Sequence, residues 1–268
     1  MKEKQEGNKA QSLVIGFMLI LALSIALLGW FQITQLPEIN RDAEITYEND
    51  VSTDMNEFRS ALWEVTQDPD TEVKPVSIKT IVEYPFQSSK TSASTAQLRF
   101  ATISTDAYSF QNSNPTIVAS DVSLTKIEHR PTYFVRDPGT TIIENNVVAR
   151  QTGSGVNQSI GSQLLISENQ IYLTQLNVDE TSVVRQDPEF VLREASREVT
   201  TMTADDDTQD IVMNAETTLP ESFWKEEFEN IGAVDESGVT VNSGTLSVPL
   251  DPSRTYEVHV SRINLDTS

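Results

Sequence analysis

The sequence predicts an α+β protein: a long N-terminal transmembrane and stalk helix followed by a mainly antiparallel, sandwich-like β domain. Three observations carry that expectation. From Gln11 to Leu36 no residue is charged, and about 20 helical residues suffice to span a hydrocarbon core of about 30 Å. Beyond Pro37 the residues Ile39, Ala43, Tyr47, Val51, Met55, Phe58, Leu62 and Val65 recur at steps of three and four, the stripe of an amphipathic helix. After residue 70 that period gives way to short alternating runs bounded by turn residues, the pattern of strands. The expected divisions are a leader at 1–10, a membrane helix at 11–36, an amphipathic stalk at 37–67 and a β-rich outer domain at 70–268.

Lys2, Lys4 and Lys9 precede the apolar run, whereas Glu38, Asp42, Glu44, Glu48 and Asp50 follow it. The positive-inside bias then puts the N-terminus in the cytoplasm and residues 37–268 outside, as a single-pass cell-membrane protein. A secretory signal has an apolar region of about 7–15 residues and a small-x-small cleavage site. This run is longer and ends in FQITQLPEIN, so a retained anchor in contact with lipid is expected. Trp30 falls near its outer end, where interfacial aromatics gather. Ala22 and Ala26, with Gly16 and Gly29, offer small faces for close helix packing or are tolerated lipid-facing positions. Pro37 either starts the stalk helix or kinks a continuous one. The stripe beyond it must be covered; the chain's own outer domain is the preferred partner, a coiled coil between subunits the alternative.

The stretch KAQSLVIGF, residues 9–17, resembles the processing region of archaeal type IV pilin-like precursors. These have a short basic leader, a Lys or Arg followed by Gly or Ala, and then the apolar helix. By that resemblance the cut falls between Ala10 and Gln11. LPEINRDAEITYENDVSTDMNEFRSAL is similar to haloarchaeal membrane-anchored proteins in which the apolar helix runs into an acidic stalk. Many pilins carry a glutamate at the fifth position after the cut, which helps subunits register; this chain has Ile15. The resemblance implies a structural, adhesive or pilin-like assembly role at the cell surface, with other pilin-like subunits or surface components as partners. The alternative is an uncleaved, signal-anchored envelope protein whose outer domain is a ligand-binding module or an enzyme.

Composition narrows the partners. Forty acidic residues against 19 basic ones give a formal net charge of -21, a field that repels phosphates and excludes a nucleic-acid role. Only eight lysines occur, and scarce lysine beside abundant acid resembles the bias of halophilic archaea. There is no cysteine, hence no disulfide, thiolate metal site or cysteine nucleophile.

In the outer domain Val76, Ile78, Thr80, Val82 and Tyr84 alternate with mostly polar residues, as do Tyr256, Val258 and Val260. Together with TIVAS, TYFV, TTIIENNVVAR and QLLISENQIYL they make about ten candidate strands, arranged as a sandwich or two packed sheets. Asn145-Asn146 and Glu168-Asn169 suit hairpin turns. Residues 88–97 and 203–210 read as loops, and PESFWKEEFENIG (220–232) as a short helix stopped by Gly232.

No catalytic, cofactor-binding or metal-ligating residue is assigned. His129 and His259 lie more than a hundred residues apart and read as exposed strand histidines. There is no Gly-x-Ser-x-Gly elbow, and TGSGVNQSIG lacks the lysine of a phosphate loop. Asp205, Asp206, Asp207 and Asp210 lack the glycine and distal glutamate of a calcium loop, so a solvated acidic loop is expected. Asn157-Gln158-Ser159 is an N-x-S site, expected in an outward-facing loop where a glycan attaches.

Overall fold

A computed structural model of the chain describes residues 3–68, 74–85, 94–114, 118–119, 122–153, 155, 157–162, 165–178, 183–184, 187–204, 211–229, 231 and 233–267. Helix α1 (Glu3–Trp30), a π-helical turn (Phe31–Gln35) and helix α2 (Leu36–Gln67) follow one another without a break. At 1.5 Å per residue the rod is roughly 100 Å long. Proline explains the irregular turn. Pro37 has no N–H, and its ring crowds the carbonyl four residues back in a regular helix. The chain absorbs this by widening one turn, so that the Leu36 N–H bonds to Phe31 O, five residues earlier. Pro37 thus stands in the first turn of α2, as expected of a helix-starting proline, while the helical backbone runs on from α1 through the widened turn.

The two ends of the rod meet different surroundings. From Val14 to Ile33 the large apolar side chains are exposed, save half-buried Phe31, and this stretch is long and apolar enough to cross a membrane. Its hydroxyls bond inward: Ser24 donates to Ile20 O (2.8 Å) and, just beyond, Thr34 to Trp30 O (2.7 Å), so neither hydroxyl proton is left to an apolar solvent. From Tyr47 onward the stripe is buried. Tyr47, Val51, Met55, Phe58, Ala61, Leu62 and Val65 pack into one core with Val76, Leu98, Phe100, Ile127, Val148, Phe190 and Ile263 of the β domain. The chain's own domain thus covers the stripe, as the sequence reading preferred. Phe58 meets Phe190 edge-on at 5.9 Å, and Phe190 meets Phe100 at 5.4 Å. At Gly161 a Cβ would lie 2.2 Å from Asn56 Oδ1, so the missing side chain lets α2 approach the neighbouring strand.

The domain is mostly antiparallel, and its eighteen described strand segments form three main sheets, where two sheets and about ten strands were expected. One sheet runs Lys74–Ser77, Glu189–Ala204, Tyr256–Thr267, Gln170–Asn177, the last pair being parallel. A second is ordered Asn157–Ser162, Val147–Gln151, Thr140–Glu144, Leu124–Arg130, Gln97–Ser104, Val183–Val184. The third is ordered Thr240–Asn242, Thr245–Leu250, Ile211–Glu216, Tyr108–Gln111, Val118–Ala119. Helix α3 (Glu221–Phe228) buries Phe223, Trp224 and Phe228 beside it in a second core. It ends before Gly232, which lies outside the described residues.

The extra sheet follows from strands that serve two cores. Along Tyr256–Thr267 the buried residues are first Tyr256, Val258 and Val260, then Ser261, Ile263 and Leu265. Side chains alternate faces with period two, so this change of parity means that the strand turns one face to α3's core and the other to α2's. The partner strand is bulged between Glu194 and Ser196, opposite Ile263 and Arg262, and a bulge sharpens the local twist. The hairpin strand Val147–Gln151 likewise sends Val147 and Ala149 to one core and Val148 to the other. Its turn, Asn145-Asn146, has positive φ at both residues (48° and 64°), the tight hairpin geometry that asparagine tolerates.

Two other expectations need revision. The alternation from Val76 to Tyr84 is a true burial pattern, but strand pairing lapses at 78–80 because side chains take the donors. Lys79 N–H bonds to Asp54 Oδ2 (2.9 Å) and Thr80 N–H to Asp187 Oδ1 (2.7 Å). Of the expected loop at 88–97, Ser94–Thr95 and Gln97 are strand; of that at 203–210, Thr203 and Ala204 pair with Asn114 and Ser113. Ala96, between Thr95 and Gln97, is fully buried; the rest of both, with Asp205, Asp206, Asp207 and Asp210, lies outside the described residues.

Phe58 is the test of the shared core. Phe58→Ala is expected to lower stability by about 3–5 kcal/mol, read as a drop in the urea midpoint of the full chain in detergent, with Phe58→Leu losing much less.

Candidate functional site at the helix–domain junction

The polar groups of α2 converge where the rod enters the domain. Glu44 lies seven residues before Val51 and three before Tyr47, on the buried face, and is fully buried. Its carboxylate accepts four hydrogen bonds. Oε1 takes the Tyr84 hydroxyl (3.0 Å), Phe134 N–H (2.7 Å) and Val135 N–H (3.0 Å), and Oε2 takes Arg136 N–H (3.0 Å). Three successive backbone N–H groups aimed at one anion form a concave nest, the arrangement a buried carboxylate needs to offset lost hydration. One turn on, Glu48 pairs with Arg136 Nη1 (2.6 Å) and with Arg150. A Cβ on Gly139 would come within 2.9 Å of Gln151 O and 3.0 Å of Arg150 Nε, so glycine lets the 131–139 loop close over this pair.

Beside them the Tyr47 hydroxyl donates to Lys79 O (3.0 Å) and lies 3.0 Å from His129 Nε2. With its one proton on Lys79 O, the hydroxyl accepts from Nε2–H, which places the neutral imidazole's proton on Nε2. Burial holds His129 down at about 4, and it pushes the Tyr47 and Tyr133 phenols up. His129 is therefore a neutral, fully enclosed group. The expectation of an exposed histidine fails because α2 covers the strand face that solvent would otherwise reach. His259 is half-buried, stacked on Tyr172 at 4.9 Å, since the parallel pairing sets these two residues side by side.

A second buried polar cluster closes the Asn145-Asn146 hairpin. Glu144 accepts from the hydroxyls of Thr217 and Thr218 and from Thr218 N–H (2.9 Å), while burial pushes its carboxyl up against those bonds. The Tyr108 hydroxyl donates to Asn145 Oδ1 (2.7 Å). The cavity lined by Leu62, Glu144 and Asn146 measures about 20 Å³, room for one water molecule. At the far end of α2, Arg197 donates to the carbonyls of Thr66 and Gln67, supplying from a strand the cation that the helix's last turn lacks.

These clusters position and hold. Among the described residues no group of three or more His, Asp or Glu side chains is placed to hold a metal ion. Ala10 and Gln11, at the expected processing site, lie within α1, away from the junction. Asn157 is the first residue of an edge strand, opposite Gln151, where an outward loop was expected. The junction itself escaped the sequence reading because Glu44 and Glu48 look like any other acids of a solvated face. The available signal was the seven-residue step from Glu44 to Val51. Compared with family models, with curated proteins and with solved structures, the chain matches none.

Two measurements test the junction. Glu44→Gln turns an amide toward N–H donors that need an acceptor, and is expected to cost about 2–4 kcal/mol in urea unfolding. For His129, the folded value near 4 lies below the ordinary 6.5, so its contribution is complete above pH 6.5 and falls as pH drops toward 4. At about 1.4 kcal/mol per pH unit, the loss relative to His129→Gln reaches about 3 kcal/mol at pH 4. Parallel stability curves for the two proteins across that window would contradict the buried-neutral assignment.

Proposed function

We propose that the chain is a single-pass surface protein: residues 1–10 in the cytoplasm, residues 11–36 in the membrane, and the β domain outside. Its role is structural, adhesive or pilin-like assembly, and not enzymatic. One observation carries this reading. The apolar, uncovered part of the rod continues without a break into a helix that forms the core of the folded head. Such a subunit presents a domain at a fixed distance from whatever solvates its apolar end, lipid or neighbouring helices of the same kind. The basic residues before the run and acidic residues after it support the orientation, and the acidic surface suits a salt-rich exterior.

The sharper form is cleavage between Ala10 and Gln11, as in the pilin-like precursors that residues 9–17 resemble. A second reading, the permanent uncleaved anchor, is favoured by α1 running through that bond as helix from Glu3, since a peptidase acts on extended chain. N-terminal mass spectrometry of protein from membrane and shed surface fractions separates them. A mature chain starting at Gln11, resistant to alkaline extraction, is the expected result. Retention of Met1–Lys9 in membranes selects the permanent anchor, and recovery of intact chain in the soluble fraction overturns both.

A further inference from the structure

Strand Leu124–Arg130 descends alongside α2. Leu124 and Thr125 line the same cavity as Leu62, and His129 reaches Tyr47, nearer α1. Among the described residues the loop at 131–139 that follows therefore lies at the rim of the domain on the α1 side, and the strand Thr140–Glu144 climbs back from it. Among the described residues beyond Ile33, four large apolar side chains are exposed: Ile45 (37 %), Phe134 (59 %), Val135 (43 %) and Val199 (52 %). Phe134 and Val135 lie on this rim, and Ile45 is the chain neighbour of Glu44, to which the rim is bonded. Nor do they ride on a loose segment. The N–H groups of Phe134, Val135 and Arg136 are bonded to Glu44, and the Phe134 ring packs on Tyr84 at 5.0 Å.

Distance decides what the rim can touch. Glu44 is eight residues past Leu36, a rise of about 12 Å. The polar zone of a bilayer fills about 5–8 Å of that on each side. A packed element stands about 10 Å from a helix axis, so tilting the rod by about 30°, within the range of spanning helices, lowers one side of the rim by about 5 Å. The gap then closes. We infer that Phe134 and Val135, with Ile45, form a second membrane contact, resting in the interfacial zone of the bilayer that holds α1 and fixing the tilt and rotation of the head. This rests on the anchored reading proposed above. The field of the acidic domain disfavours anionic headgroups, so the lipid surface it fits is zwitterionic.

The absence of native cysteine gives a direct test. Full chain carrying a nitroxide on Phe134→Cys, Val135→Cys, Val199→Cys or Ile25→Cys is reconstituted in phosphatidylcholine vesicles. Relaxation by oxygen, which partitions into lipid, is compared with relaxation by a water-soluble nickel chelate. Val199 is the solvent reference, since Arg197 on its strand bonds to the far end of α2. The expected result is an oxygen-to-nickel ratio at positions 134 and 135 several-fold above that at 199. If the label at 25 reads lipid while those at 134 and 135 match 199, the rim contact is overturned and the anchor stands. If the label at 25 reads water, the anchored reading falls and takes the rim contact with it. Labels at 134 and 135 shielded from both probes, with dipolar broadening that grows with the protein-to-lipid ratio, put a second copy of the chain on the rim and overturn lipid as its occupant.

Discussion

The burial of one face of α2 is the constraint on which the rest of the structure depends. A helix of this length carrying Tyr47, Val51, Met55, Phe58, Leu62 and Val65 along one side cannot leave that side in water, and two sheets close around it. Because the same helix continues into α1, the core and the apolar rod are a single covalent object. The β domain is the half of the core that the helix lacks. Burying the stripe also buries whatever lies between its members, and Glu44 and Thr66 are both enclosed. The loop at 131–139 supplies the donors that Glu44 requires, and the Thr66 hydroxyl donates to Leu62 O and lies 3.3 Å from Thr174 Oγ1.

Much of this was legible in the residues. The three- and four-residue steps of the stripe specify helix and buried face together, since no strand produces that period. The turn at Asn145-Asn146 was legible because few residues tolerate positive φ. What escaped was set by neighbours distant in sequence. Glu44 finds its donors ninety residues on, at Phe134 to Arg136, and its spacing to the apolar stripe is shared by Glu48, so local sequence alone does not single it out. His129 reads as an outward strand residue until α2 is laid over it. The third sheet was hidden because a strand that changes its buried face midway, as Tyr256–Thr267 does, looks in sequence like a run with a broken alternation.

The buried polar clusters are two different answers to one problem. At the junction, Glu44 keeps its charge company with backbone N–H groups and one phenol, and Glu48 beside it has two guanidinium partners. At the hairpin, Glu144 is met by neutral hydroxyls and an amide, and burial raises its carboxyl. The first arrangement ties a helix to a loop and the second ties a hairpin to the strand end at Thr217. Directional bonds of this kind specify which elements meet, where apolar contacts alone would allow sliding.

The widened turn at Phe31–Gln35 has a mechanical meaning. A proline ordinarily interrupts helical hydrogen bonding; here the wider turn keeps the backbone helical from the apolar stretch into the head. No non-helical linker separates the two. On the anchored reading proposed above, a change in the inclination of the embedded portion, such as the response of a spanning helix to a thinner or thicker bilayer, passes through α2 to the domain. Over the roughly 45 Å from Pro37 to Gln67, each 10° of inclination sweeps the far end sideways by about 8 Å. On that reading the helix is the shaft through which bilayer thickness sets the bearing of the domain.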